Sequence, residues 1–244
     1  MQKSLRNYAG FSLVELMIAM SLSLSVLGIG SVLLASSFNV RSREDRKSDA
    51  VADVQRALNI MTRELSNSGF RLPAGLPTVS SNGIVADDTT NQSVRIISNL
   101  NGMPNPADPA AVDTDVTDDD EDVKFLMYVD NERQQRYIVR YENNADKQTT
   151  VLANRVDSLI FRYYDEKVTY DTTVDQATGV CDITNVLNAS GTAENEVSPA
   201  VARYIVIAVG VTLPAVGSFG ATGYQPQTQV QLTSDVVLRN SIVY

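Results

Sequence analysis

The 244-residue sequence contains no His and no Trp, and a single Cys, Cys181. Without imidazole, Ser-His-Asp and Cys-His catalysis and His-ligated zinc are excluded. One Cys excludes an internal disulfide and any CxxC redox or metal motif. Basic residues are outnumbered, with 20 Lys and Arg against 29 Asp and Glu and a formal charge of −9. A nucleic-acid binder needs a clustered basic face, so no nucleic-acid partner is expected. Proline is missing before Pro73, and no Lys or Arg occurs between Arg6 and Arg41. The length allows one large domain or two small ones.

The last two absences frame the most informative segment. From Phe11 to Phe38 the chain reads FSLVELMIAMSLSLSVLGIGSVLLASSF, with Glu15 as its one charge. As a helix this run is about 42 Å long, enough to cross a ~30 Å hydrocarbon core. Lys3 and Arg6 precede it, which places the N-terminus in the cytoplasm and the remainder outside the membrane. An uncleaved single-pass anchor is one reading. A secretory signal peptide cut near Ala35-Ser36-Ser37 is another, but signal peptides carry only about 7–15 apolar residues. Neither accounts for Glu15, whose carboxylate costs a few kcal/mol in hydrocarbon unless it is paired or snorkels to the interface.

Gly10-Phe11-Ser12-Leu13-Val14-Glu15-Leu16 resembles the cleavage and methylation signature of type IV prepilins. The resemblance implies cleavage by prepilin peptidase between Gly10 and Phe11, N-methylation of the new Phe11 amine, and retention of the apolar run on the mature protein. It also implies that Glu15 pairs with the N-terminal amine of a neighbouring subunit during assembly. That pairing is a sound solution for a buried carboxylate, since a paired charge costs far less than a lone one. Looser matches in Asp53–Phe70, in Leu152–Val156 followed by Ser158–Tyr163, and in Val236–Tyr244 resemble minor pilins of the PilW type and the J-type pseudopilins of type II secretion.

Residues 1–10 are thus expected as a leader peptide, 11–38 as the transmembrane and filament-core helix, and 39–70 as its amphipathic continuation. Val51, Val54, Leu58, Met61 and Leu65 recur at spacings of three and four, one apolar stripe. Arg41, Arg43, Glu44, Asp45, Arg46 and Lys47 form a mixed-charge collar, read as a solvated face. Asn67-Ser68-Gly69 followed by Pro73 is a stop signal that ends the helix near Ser68.

Residues 71–244 are expected as the exported β-sheet domain. Strands are expected at Ser93–Ser98, Val123–Asp130, Arg136–Glu142, Ser158–Tyr164, Ala202–Leu213 and Thr228–Leu238. Tyr137, Val139 and Tyr141 share one strand face, and the nearly all apolar, β-branched Ala202–Leu213 reads as a central strand buried on both faces. Asp165–Pro199 reads as a polar region. Tyr128, Tyr137, Tyr141, Tyr163 and Tyr164 read as half-buried sheet residues. One helix followed by an antiparallel sheet is an α+β, pilin-like arrangement.

The acidic loop 108–122 holds eight carboxylates. Asp113, Asp115, Asp118 and Asp120 have the chemistry to ligate calcium, but the run lacks the Gly and the bidentate Glu of an EF-hand loop. A block of like charge reads first as a solvated loop. No cofactor is expected, calcium being the one candidate, and no catalytic residue stands out. Cys181 reads as a free thiol or, in an oxidising compartment, as an intermolecular bridge.

The resemblance implies a structural subunit and not an enzyme: a minor pilin that primes assembly of a type IV pilus and enters it near the tip. The missing helix-breaking Pro and the impossible C-terminal disulfide both depart from the pattern of major pilins. Implied partners are prepilin peptidase, other minor pilins, the major pilin and a PilY-type tip adhesin. The implied location is the bacterial inner membrane before assembly, then the periplasm and cell-surface pilus. A J-type pseudopilin and a membrane-anchored periplasmic binding domain are the alternatives.

Overall fold

A computed structural model describes residues 12–73, 75–101, 113, 115–132, 135–152, 156–175, 180–221 and 223–241. The leader and Phe11 lie outside these residues, as does part of the acidic loop. One helix, α1 (Leu13–Ser66), is followed by nine strands. These are β1 (Ser93–Ile97), β2 (Asp122–Asp130), β3 (Gln135–Glu142), β4 (Lys147–Leu152) and β5 (Val156–Tyr164). Then come β6 (Thr169–Val174), β7 (Cys181–Leu187), β8 (Tyr204–Leu213) and β9 (Thr228–Val237). Every strand pairing is antiparallel. The single sheet expected from the sequence is three: β1-β2-β3-β4, β5-β8-β9 and the hairpin β6-β7.

The chain divides into two compact units, one comprising residues up to Asp45 with Pro214–Gln227, the other Arg46–Leu213 with Thr228 onward. In the larger unit, the distal half of α1 supplies the packing layer. Val54, Ala57, Leu58, Met61 and Leu65 are fully buried, Ala50 nearly so, and Val51 only partly. The five fully buried residues meet Val94 and Ile96 of β1, Val123 and Phe125 of β2, Ile138 of β3, and Leu159 and Phe161 of β5, whereas Ala50 and Val51 pack with Leu213 and Val230. Ile205, Ile207 and Val209 of β8 complete this core. Each such side chain withdrawn from water contributes about 1.5–3 kcal/mol.

The intervening residues of β8, Tyr204, Val206 and Ala208, face the opposite way and are equally buried. There they join Ile160, Tyr164, Val168, Cys181 and Ile183. The region read from sequence as polar and irregular is therefore the β6–β7 hairpin, which covers the second face of the three-stranded sheet. Its outer face is exposed and rich in Thr and Asp, and Asn185 sits at φ 50°. These features dilute the alternation that marks a strand. β4 is a third strand missing from that reading, beside β6 and β7.

α1 closes by tightening. Asn67, Ser68 and Phe70 N–H groups donate to the carbonyls of Glu64, Leu65 and Asn67, at 3.0–3.1 Å. Gly69, at φ 76°, then turns the chain away. It lies against Gly83 (φ 81°), where a Cβ would stand 2.0 Å from the Gly69 nitrogen. The two backbones approach because each also bonds β1: Gly69 N–H donates to Ile97 O, and Ile97 N–H to Gly83 O. Only residues without a Cβ fit here.

Candidate functional site

The proximal part of α1 is an apolar rod with none of the described residues packed on most of it. Leu13, Val14, Leu16, Met17, Ile18, Leu22, Leu24 and Leu27 are each 55–75% exposed. Four serines within this rod do not look outward for partners. Ser21, Ser25, Ser31 and Ser37 donate to the carbonyls of Met17, Ser21, Leu27 and Leu33, one turn back, at 2.8–2.9 Å. Such bonds silence a hydroxyl in an apolar medium. Among the described residues nothing lies within 4 Å of a Cβ placed on Gly28 or Gly30, so no contact with those residues requires them. The helix from Leu13 to Ser66 is long and apolar enough over this portion to cross a membrane.

Glu15 stands in the first turn of α1, where the positive end of the helix dipole favours a carboxylate. The first basic residue after it is Arg41, about 39 Å further along the helix. No cation of the helix itself can therefore reach Glu15. Gly10 and Phe11 lie outside the described residues. The collar is not uniformly solvated: Arg43 is 8% exposed and donates to the Pro226 carbonyl.

A second polar site lies between α1 and the four-stranded sheet. On β2 and β3 the helix-facing side carries Val123, Phe125 and Met127 paired with Glu142, Arg140 and Ile138. Tyr137, Val139 and Tyr141 share the other face, as expected. Arg140 donates through Nε to both Glu64 carboxylate oxygens, at 2.9 and 3.1 Å. Its Nη1 reaches Glu142 at 3.1 Å and its Nη2 reaches Asp120 at 2.6 Å. One guanidinium thus serves three carboxylates at the edge of a cavity of about 480 Å³, which Arg63, Glu121 and Lys147 also line. Burial pushes the Glu142 carboxyl above its ordinary range against the pull of Arg140, and its buried Oε1 has no hydrogen-bond partner among the described residues. Sequence reasoning missed this cluster, because charges on a strand read as a solvated face.

Of the four calcium candidates, the fold brings three together: carboxylate oxygens of Asp113, Asp115 and Asp118 lie within 4.8 Å of one another. Asp120, at φ 69°, turns to Arg140 instead. Hydrogen bonds from the Thr117 hydroxyl and N–H hold the Asp115 carboxyl below its usual range. Asn99 and Asn144 brace the loop by donating to the carbonyls of Asp113 and Asp115, and of Val116 and Asp118. The acidic run is not wholly solvated. Glu121 is buried and accepts the Leu100 N–H, and Asp122 is buried against Arg95 at 2.6 Å.

Cys181 is a free thiol, but a buried one at 1% exposure, and burial raises its pKa. An intermolecular bridge through it is excluded in the folded chain. Tyr163 and Tyr164 are buried rather than half-buried, Tyr137 and Tyr141 are half-buried, and Tyr128 is exposed.

Residues 5–38 match the prokaryotic N-terminal methylation motif. The match supports a prepilin-type protein, pilin or pseudopilin, that prepilin peptidase processes and that assembles with other pilins. With the apolar helix it is consistent with inner-membrane anchoring before assembly. No curated protein and no solved structure matches the chain.

Proposed function

We propose that the chain is a minor pilin, a structural subunit without catalytic activity that primes assembly of a type IV pilus and is incorporated near its tip. The observation that carries this reading is the proximal rod of α1. It pairs exposed apolar side chains and self-satisfied serines with one carboxylate, Glu15, that its own helix cannot neutralise. Such a surface needs lipid first and neighbouring helices afterwards, with a cation brought to Glu15 from outside. A methylated amine on the first residue of a neighbouring subunit is that cation. Prepilin peptidase, the major pilin, other minor pilins and a PilY-type tip adhesin are the partners.

The unbroken helix through residues 13–66 and the lone buried thiol support a minor over a major subunit. Mass spectrometry of the mature protein tests the processing: the N-terminus is expected at N-methylated Phe11, and a start at Ser37 or Phe38 would sink the pilin reading. Deletion of the gene is then expected to abolish surface pili and leave type II secretion intact. The reverse phenotype would assign the chain to a pseudopilus.

A further inference from the structure

Within the smaller unit, the connection between β8 and β9, Pro214–Gln227, lies along α1. Gly223 (φ 82°) sits so close that a Cβ would stand 2.7 Å from Ser36 Cα. A Cβ on Gly217 (φ 83°) would stand 3.4 Å from the Asn39 amide nitrogen, and Arg43 bonds the Pro226 carbonyl. From Arg43 back to Ser36 these contacts cover about 10 Å of the helix axis, toward its N-terminus. Between the two glycine contacts, the tip carries Phe219, 90% exposed and held edge-on by Tyr224 with ring centroids 5.5 Å apart. Phe38, at the same level of the helix, is 61% exposed. No charged residue occurs between Arg203 and Asp235, although the chain as a whole is acidic.

The level on the helix decides what this tip meets. The apolar run Phe11–Phe38 is about 42 Å long and the hydrocarbon core ~30 Å thick. With Phe11 at the inner boundary, Ser36 falls in the outer headgroup layer, where aromatic rings concentrate. We infer that the loop Pro214–Gln227 inserts Phe219 into the outer leaflet of the bilayer that α1 spans, a second lipid contact beside the helix. This rests on the reading of α1 as a membrane span. The lipid surface is favoured as occupant because the patch continues directly from the exposed apolar helix and lacks any charge that lipid insertion would have to desolvate.

The absence of Trp makes the test direct, since one substitution supplies a unique emitter. Phe219→Trp and, separately, Leu24→Trp are made in the full chain and reconstituted in phosphatidylcholine vesicles containing brominated lipid. Leu24→Trp is expected to be quenched most by bromines deep in the acyl chains. Phe219→Trp is expected to emit at shorter wavelength than in urea, and to be quenched most by bromines near the headgroups. Quenching at position 24 with none at 219 would overturn the inference and leave the spanning helix standing. No quenching at either position would overturn both. A blue shift at 219 that needs added pilins and shows no lipid quenching would also overturn it, giving the loop to a neighbouring subunit.

Discussion

Arg140 on β3 grips Glu64 on α1 from a distance of 76 residues in sequence, with Nε 2.9 and 3.1 Å from the two carboxylate oxygens. The contact is a polar fastening between the helix and the four-stranded sheet. It also leaves Glu142, on the same strand, dependent on the same guanidinium.

Arg140→Met is therefore expected to cost more than its lost contacts, because it strands Glu64 and Glu142 together. Breaking a buried ion pair from one side costs about 3–5 kcal/mol, and the lower end applies to a site at the rim of a cavity. Arg140→Met with Glu142→Leu should recover much of that loss. Thermal unfolding of the full-length chain in detergent, for both variants, measures the difference.

The pH dependence of this site follows from Glu142. Its folded pKa is raised above the ordinary carboxylate value by burial. The folded state therefore holds the proton to higher pH than the unfolded state does, and that contribution to stability is lost as pH rises through the folded pKa. Glu142→Gln, which keeps the shape without the charge, is expected to flatten the stability profile just above the normal carboxylate range. It should leave neutral-pH stability equal or higher. An unchanged profile in denaturant titrations from pH 4 to pH 7 would contradict this.

Gly83→Ala is expected to destabilise the larger unit by more than about 3 kcal/mol. A Cβ there meets backbone 2.0 Å away and also imposes a positive φ on alanine. Gly191→Ala is the matched control, with φ 74° but open space around the added carbon. It should cost only about 1 kcal/mol. Loss of the distinction in denaturant midpoints would mean that the Gly69–Gly83 approach is looser than described.

Cys181 should resist maleimide while the protein is folded and react readily in urea. Burial both shields the thiol and raises its pKa, and the thiolate is the reactive form. Labelling at comparable rates in both states would place β7 away from the three-stranded sheet.

Glu15→Val is expected to leave cleavage after Gly10 intact, since the peptidase acts on the cytoplasmic side of the run, and to impair entry into filaments. Quantitative immunoblots of sheared pili against whole cells separate the two effects. Filaments that take up the variant at normal levels would remove the pairing role from Glu15.

The long helix and the central strand were legible because burial alone shapes them. A Pro-free run with a three-and-four stripe admits only a helix, and the unbroken apolar Tyr204–Leu213 admits only a strand covered on both sides. The β6–β7 hairpin was not legible, because its outward Thr and Asp residues hide the inward Cys181 and Ile183. Nor was the inward turn of Arg140 and Glu142: a strand reading assigns charges to water, and the partner that overrides it, Glu64, lies on a different element. For the candidate site the balance is reversed. Gly10, Phe11 and Glu15 stand out in the sequence through their resemblance to the prepilin signature, and residues 5–38 match that methylation motif, while the three-carboxylate cluster of Asp113, Asp115 and Asp118 needed the fold to separate it from Asp120.

The serines of the proximal helix bear on how a subunit leaves a membrane. Hydroxyls already bonded one turn back have nothing to give up when lipid is replaced by protein. On the reading proposed above, extraction would break none of these four hydrogen bonds, and for them the step reduces to one greasy contact exchanged for another. On the same reading, what makes the step directional is electrostatic and concentrated in a single group, so that the register of each newcomer would be decided at Glu15, with the rest of the rod free to slide until that carboxylate is met.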